Sequence, residues 1–288
     1  MGPALPNRLA DLALLPASGL ASVRPLMEPG MALPPTESRG TADIVTSLQQ
    51  GLRVIEVFDQ DRPQLTIAEV ARRADLSRAA ARRYLLTLAE MGYVKHDGKT
   101  FALSVKVLRL AQSFMHSSRL PRLLQPQLQA IAAALQESSS AGVLEGDDVI
   151  SVAAAGSGRL TSSTLQPGTR VPAYCTANGR VLLAALSPEA LDAWLRRQTL
   201  PARTTHTLVD HDALRAEVQR VRARGHALVD QEFELGLRTV AVPLRNFKGE
   251  VVASANLSAH ASRMRMDELA ERGLPLLLQL QAQLQSLI

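Results

Sequence analysis

Residues 66–94, TIAEVARRADLSRAAARRYLLTLAEMGYV, decide how the amino-terminal third of this chain folds. Ile67, Val70 and Ala71 recur at helical spacing and the run ends near Ala74-Asp75. Leu76-Ser77 then opens a second helix with an inner stripe of Ala81, Leu85 and Leu88. That periodicity turns Arg78, Ala79, Arg82 and Arg83 outward. A helix held across another, with a short cationic outer face, suits insertion into the DNA major groove.

Working outward, residues 45–59 (VTSLQQGLRVIEVFD) predict a helix that supports this pair from behind through Leu48, Leu52, Ile55 and Val57, ahead of a polar Asp61-Arg62-Pro63 turn. On the other side, Asp97-Gly98 between two short alternating runs predicts a hairpin. Three helices and a hairpin over residues 45–103 make a winged helix-turn-helix. Residues 104–116 return to helical spacing and break at Leu120-Pro121, a linker helix within 104–121.

A helix over 123–136 opens a second domain, 122–288. Its strand candidates are 141–144, 149–155, 161–165, 227–233, 238–244 and 251–257; its helix candidates are 179–185, 188–197, 212–224 and 266–287. The 246–249 turn, Asn-Phe-Lys-Gly, predicts an antiparallel hairpin. No Gly-rich phosphate loop follows a strand, which argues against a doubly wound nucleotide fold and for an α+β sheet with packed helices. Residues 266–287 end in a Leu-rich run, but Pro275 favours packing on the sheet over a coiled-coil seam.

A length of 288 residues is comfortable for two domains, each with its own core. The net charge of +5 is modest, yet residues 45–110 carry eleven Lys and Arg against seven Asp and Glu, so most of the excess sits on the helix pair and its flanks. The single cysteine, Cys175, excludes an intrachain disulfide framework and a thiolate metal cluster, and fits a cytoplasmic protein. Seven prolines within the first 35 residues interrupt each apolar run before it reaches signal or membrane-span length. Residues 1–44, rich in Pro, Ala and Ser, read as a disordered arm or a misassigned start.

Arg78, Arg82 and Arg83 can read guanine through a planar fork or hold phosphates, while Thr66 and Ser77 offer hydroxyls and helix-start contacts to the DNA backbone. Tyr84 reaches a phosphate or packs on the first helix, with packing favoured. Lys95, His96 and Lys99 supply the wing's phosphate contacts, or are simply a polar turn. In the second domain, the polar loop Cys175-Thr176-Ala177-Asn178-Gly179-Arg180 runs into an apolar helix, and N–H groups at a helix start attract carboxylates. Ordinary capping by Thr176 or Asn178 is the plain alternative. Nothing nearby marks Cys175 as a nucleophile. Asp230, Glu232 and Glu234 alternate so as to bring three carboxylates to one strand face. No His or Cys stands at ligand spacing, so a structural role, with Arg238 pairing one of them, is preferred to a metal or acid–base site. No metal, cofactor or Ser-His-Asp arrangement is indicated.

The chain resembles the IclR family of bacterial transcription regulators across residues 47–288. The likeness is carried by LSRAAARRYLLTLAEMGYV, RVPAYCTANGRVLLAAL, DQEFELGLRTVAVPL and VVASANLSAHASR. It is most similar to the branch of PobR- and PcaR-type regulators of aromatic-acid and β-ketoadipate catabolism. This implies a GAF-like antiparallel sheet with flanking helices, a homodimer or dimer of dimers on palindromic double-stranded promoter DNA, and a small organic or aromatic acid effector. Carried over by position, Ala177 and Asn178 touch the ligand, and Thr239, Asn256 and Ser258 face them from the sheet. Residues 256 and 258 share a strand face by period-two geometry. Tyr174 can stack on an aromatic ligand and Arg159 can pair a second carboxylate, although for Arg159 a surface loop is preferred. The rival reading is a small-molecule enzyme with a DNA-tethering domain; its support is the acidic trio and Cys175.

Overall fold

Thr66 closes the start of the first helix of the pair. Its hydroxyl accepts from the Glu69 N–H and the Glu69 carboxylate accepts from the Thr66 N–H, a reciprocal capping box. The computed structural model describes residues 44–59, 62–156 and 166–288, the side chains of Met115 and His116 apart. The amino-terminal unit is α1 (Thr46–Glu56), α2 (Ile67–Arg73) and α3 (Arg78–Glu90), followed by the hairpin β1 (Val94–His96) and β2 (Phe101–Leu103). The turn from α2 to α3 carries Asp75 at φ 55°, a left-handed conformation that Asp adopts at less cost than most residues. The α3 stripe Ala81, Leu85 and Leu88 is buried, with Val54, Leu65, Val70 and Phe101 in the same cluster. One expectation is corrected at α1. Val54 is the residue that reaches the core, whereas Leu48 and Leu52 face solvent, Leu48 at 62% exposure.

A short 3-10 turn, Val105–Val107, leads into α4 (Leu108–Ser117) and then α5 (Arg119–Leu135). The break between them falls at Ser118, not at Leu120-Pro121. Pro121 sits in the first turn of α5, where its missing N–H would have lacked a partner anyway.

The carboxy-terminal unit continues with β3 (Ser138–Glu145), β4 (Asp148–Ala155), β5 (Arg170–Pro172), α6 (Ala177–Ala185), α7 (Pro188–Arg196), α8 (His211–Arg224), β6 (Ala227–Asp230), β7 (Leu237–Arg245), β8 (Val251–His260) and α9 (Met266–Gln285). Its six strands form one antiparallel sheet in the order β5-β4-β3-β8-β7-β6. Helices α5 and α9 cover one face through Leu124, Leu128, Leu269, Leu277 and Leu280, against Val240, Val242, Ala255 and Leu257. Each such leucine contributes about 1.5–3 kcal/mol by leaving water. Helix α6 lies on the other face, with Val181 against Ala241 and Val229, and α8 packs on it through Val221. Residues 161–165, read above as a strand, lie outside the described residues, as does Arg159.

Two further differences concern the sheet. Strand β6 ends at Asp230, three residues before the predicted end, because Gln231 takes φ 60° and the chain turns. The acidic trio therefore does not share a face: Asp230 pairs with Arg238 at 2.9 Å, and Glu232 turns inward. Strand β3 begins at Ser138, three residues earlier than predicted, because the polar Ser138 to Ser140 run pairs with β8.

Candidate functional site

The exposed side of α3 begins at Ser77, whose hydroxyl oxygen accepts from the Ala80 N–H at 3.2 Å. Beyond it Arg78, Ala79, Arg82 and Arg83 are exposed, and the three arginines make no ion pair among the described residues. Arg73, by contrast, is held by the Val57 carbonyl at 2.7 Å and Asp59 at 2.8 Å. The Thr66 hydroxyl donates to Glu69 at 2.8 Å, so its hydrogen is already engaged, and the two bonds from Thr66 hold the Glu69 carboxyl below the usual carboxylate value. Tyr84 donates to Gln50 on α1 at 2.6 Å, the packing alternative. In the wing Lys95 and Lys99 are exposed and His96 rests against the Phe101 ring. Asp97 ties the turn: it accepts from the Thr100 N–H at 2.7 Å, the Lys99 N–H at 2.9 Å and the Thr100 hydroxyl at 2.9 Å. Those bonds lower its carboxyl to about 2.

The second place where predicted residues meet is a recess between the start of α6 and the sheet, about 620 Å³ including its open mouth. Gly179 lets α6 sit this close, since a Cβ there would lie 2.1 Å from the Ala173 carbonyl oxygen. Thr176 caps the helix, accepting from the Gly179 N–H at 3.3 Å. The N–H groups of Ala177 and Asn178, in the unpaired first turn, have no acceptor among the described residues. Asn178 is 3% exposed and its Oδ1 has no hydrogen-bond partner among the described residues. A buried amide left so is costly, and which end of it points inward is an assignment that a bound group can reverse.

Strand register supplies the facing wall. Ser258 on β8 lies opposite Thr239 on β7 and Ser138 on β3, and Asn256 lies opposite Ala241 and Ser140. The Thr239 and Ser258 hydroxyls are 3.3 Å apart. Asn256 Oδ1 accepts from the Ser140 N–H and hydroxyl, both at 2.9 Å, which fixes the amide and leaves its NH2 without a protein acceptor among the described residues. Cys175, Ala177, Asn178, Thr239, Asn256 and Ser258 all line the recess. Tyr174 does not: its ring belongs to the core around Trp194 and its hydroxyl donates to the Pro201 carbonyl at 2.7 Å. Burial pushes the Tyr174 hydroxyl up to about 12 and the Cys175 thiol up to about 11, so Cys175 is a thiol rather than an activated thiolate.

Sequence reading missed Ser138, Ser140 and Phe233 in this wall. Period-two continuation of β3 back through the serine run would have found the first two; Phe233 lies past the true end of β6. It also missed the ion pair below the recess, in which Arg180, 1% exposed, meets Glu232 with Nη1 2.7 Å from Oε1 and Nη2 on Oε2. The available signal was one arginine on an otherwise apolar helix, which requires a partner. No group of three or more His, Cys, Asp and Glu suited to a metal occurs among the described residues, and none of their helices is long and apolar enough to cross a membrane.

Residues 112–284 match the bacterial transcriptional regulator IclR C-terminal family, and residues 47–98 match the IclR helix-turn-helix domain. The Pca regulon regulatory protein of Pseudomonas putida is 44% identical over 83% of this chain and 82% of its own length. A transcriptional regulator structure from Rhodococcus sp. RHA1 superposes with a TM-score of 0.73 at 40% identity, over 84% of this chain and 97% of its own. The inducer-binding domain of Acinetobacter PobR, a double mutant solved with 3-hydroxybenzoic acid, superposes with a TM-score of 0.57 at 28% identity, over 59% of this chain and all of its own.

Proposed function

Because this chain belongs to the IclR family and is a ligand-responsive DNA-binding transcriptional regulator, we propose that it controls aromatic-acid or β-ketoadipate-type catabolic genes from the cytoplasm. Its effector is a small organic or aromatic acid held in the recess at the start of α6. One observation carries the reading: buried Asn178, whose Oδ1 has no partner among the described residues, lines the same recess as Thr239, Asn256 and Ser258. A carboxylate there takes the N–H groups of Ala177 and Asn178 and the NH2 of Asn256, with the helix dipole in its favour.

In the same reading Arg78, Ala79, Arg82 and Arg83 enter the major groove, and Ser77, Lys95 and Lys99 hold phosphates. Thr66 contributes through its helix start, because its hydroxyl hydrogen is engaged by Glu69. Assembly as a homodimer or dimer of dimers uses the exposed apolar residues Leu48 and Leu52 on α1 and Leu108, Leu110 and Phe114 on α4. The enzyme reading is disfavoured by the raised Cys175 thiol and the pairing of Asp230 and Glu232 with arginines.

Full-length protein screened by thermal shift against hydroxybenzoates, protocatechuate, phthalate isomers and β-ketoadipate is expected to melt higher with at least one of them, by mass action. A flat response to the whole series sinks the effector assignment. Mass spectrometry of the same mixtures is expected to return each acid unchanged; any turnover would revive the enzyme reading.

A further inference from the structure

Among the described residues the wall of the recess carries no charged side chain, although an anion leaving water needs strong donors or a counter-charge. Arg180, just below, is committed to Glu232. Arg203 is not committed to any carboxylate among the described residues. It belongs to a segment tied to the recess from outside: the Thr207 hydroxyl accepts from the Arg203 N–H at 3.1 Å and donates to the Glu232 carbonyl at 2.7 Å.

The Arg203 guanidinium lies over the Phe233 ring, 4.5 Å from its centroid, and its Nε donates to the Phe233 carbonyl at 3.3 Å. Phe233 lines the recess. The positive charge also acts on Cys175, another lining residue, pulling its thiol down against the larger effect of burial. With Nε held and one face stacked, the guanidinium still has Nη1 and Nη2, which have no acceptor among the described residues. That end-on fork matches a carboxylate in two parallel hydrogen bonds.

We propose that Arg203 is the charge-reading residue of the recess: its fork joins the Ala177 and Asn178 N–H groups on the effector's carboxylate and selects carboxylates over their neutral analogues. The inference rests on the effector reading of the recess and adds a specificity residue to it. Binding covers the now exposed guanidinium, so the pair strengthens as the ligand excludes water.

The test uses full-length protein and four matched pairs: benzoate, 4-hydroxybenzoate, protocatechuate and adipate, each against its carboxamide, titrated by calorimetry. The wild type is expected to prefer at least one acid over its amide. Arg203→Gln is expected to weaken that acid about tenfold, as loss of a charge-assisted pair does, while leaving the amide within about twofold. A structural role for Arg203 would weaken acid and amide alike, and an unchanged acid-to-amide ratio in Arg203→Gln overturns the proposal while the effector site stands. Failure of the wild type to bind any of the four acids overturns both. Thermal melting of Arg203→Gln without ligand checks that the variant is folded, and Arg203→Lys, which retains charge without the fork, is expected to recover part of the ratio.

Discussion

Arg82 and Arg78 stand on the outer side of α3 with no ion pair among the described residues, which leaves both guanidinium forks to a base edge. Loss of a bidentate guanine contact costs about 1–3 kcal/mol, which is roughly a 5- to 150-fold loss of affinity for a cognate operator. Gel-shift titration of Arg82→Ala and Arg78→Ala measures it; unchanged affinity in both would remove α3 from the groove. Asp97 has a separate, pH-dependent task in the wing. Its folded carboxyl is lowered to about 2 from an ordinary 3.8, chiefly by the Thr100 and Lys99 N–H bonds. Its contribution to the turn is therefore fully present above the unfolded value and fades as pH falls from about 4 toward 2. Titration of the Asp97 carboxyl by NMR is expected to give a midpoint near 2, and a midpoint near 4 would mean that the turn is not held this way. The arginines were legible in the sequence because a helix displays its outer face in one spacing rule. The Asp97 contacts depend on a three-residue turn closing, which spacing alone does not specify.

At the scale of elements, the Arg180 and Glu232 pair joins α6, which carries Asn178, to the 231–236 turn, which carries Phe233. Two segments that line the recess are thus fastened together. Removing one partner of a buried pair leaves the other charge uncompensated, at about 3–5 kcal/mol. Glu232→Ala is expected to lower the melting temperature by roughly 10 °C, whereas Arg180→Met with Glu232→Leu recovers most of the loss. Equal destabilisation by the single and the double variant would show that packing, not charge, dominates there. The pair escaped sequence reading because its members are fifty-two positions apart and because β6 was expected to run on to residue 233. The α2 and α3 helices were legible because their apolar spacing is a local property of the sequence, whereas the three-residue β5 was not among the expected strands.

For the whole molecule, the proposed homodimer draws on the exposed leucines of α1 and on the exposed Val105, Leu108, Leu110 and Phe114 of the α4 region. Leu52→Glu combined with Phe114→Glu is expected to shift the chain toward monomer in light scattering and to weaken palindromic DNA far more than a single half-site. An unchanged molar mass would place the assembly surface elsewhere. Sequence alone determined the winged helix-turn-helix, the outward arginines of α3 and the family, because periodicity and ordered motifs are local properties of a chain. Only the tertiary structure decided that Val54 rather than Leu52 enters the core and that Glu232 turns in to Arg180. It also decided that Asn178, Asn256, Ser258 and Phe233 line one recess. Those outcomes depend on strand register and on side-chain packing between segments far apart in the chain, which no local pattern encodes.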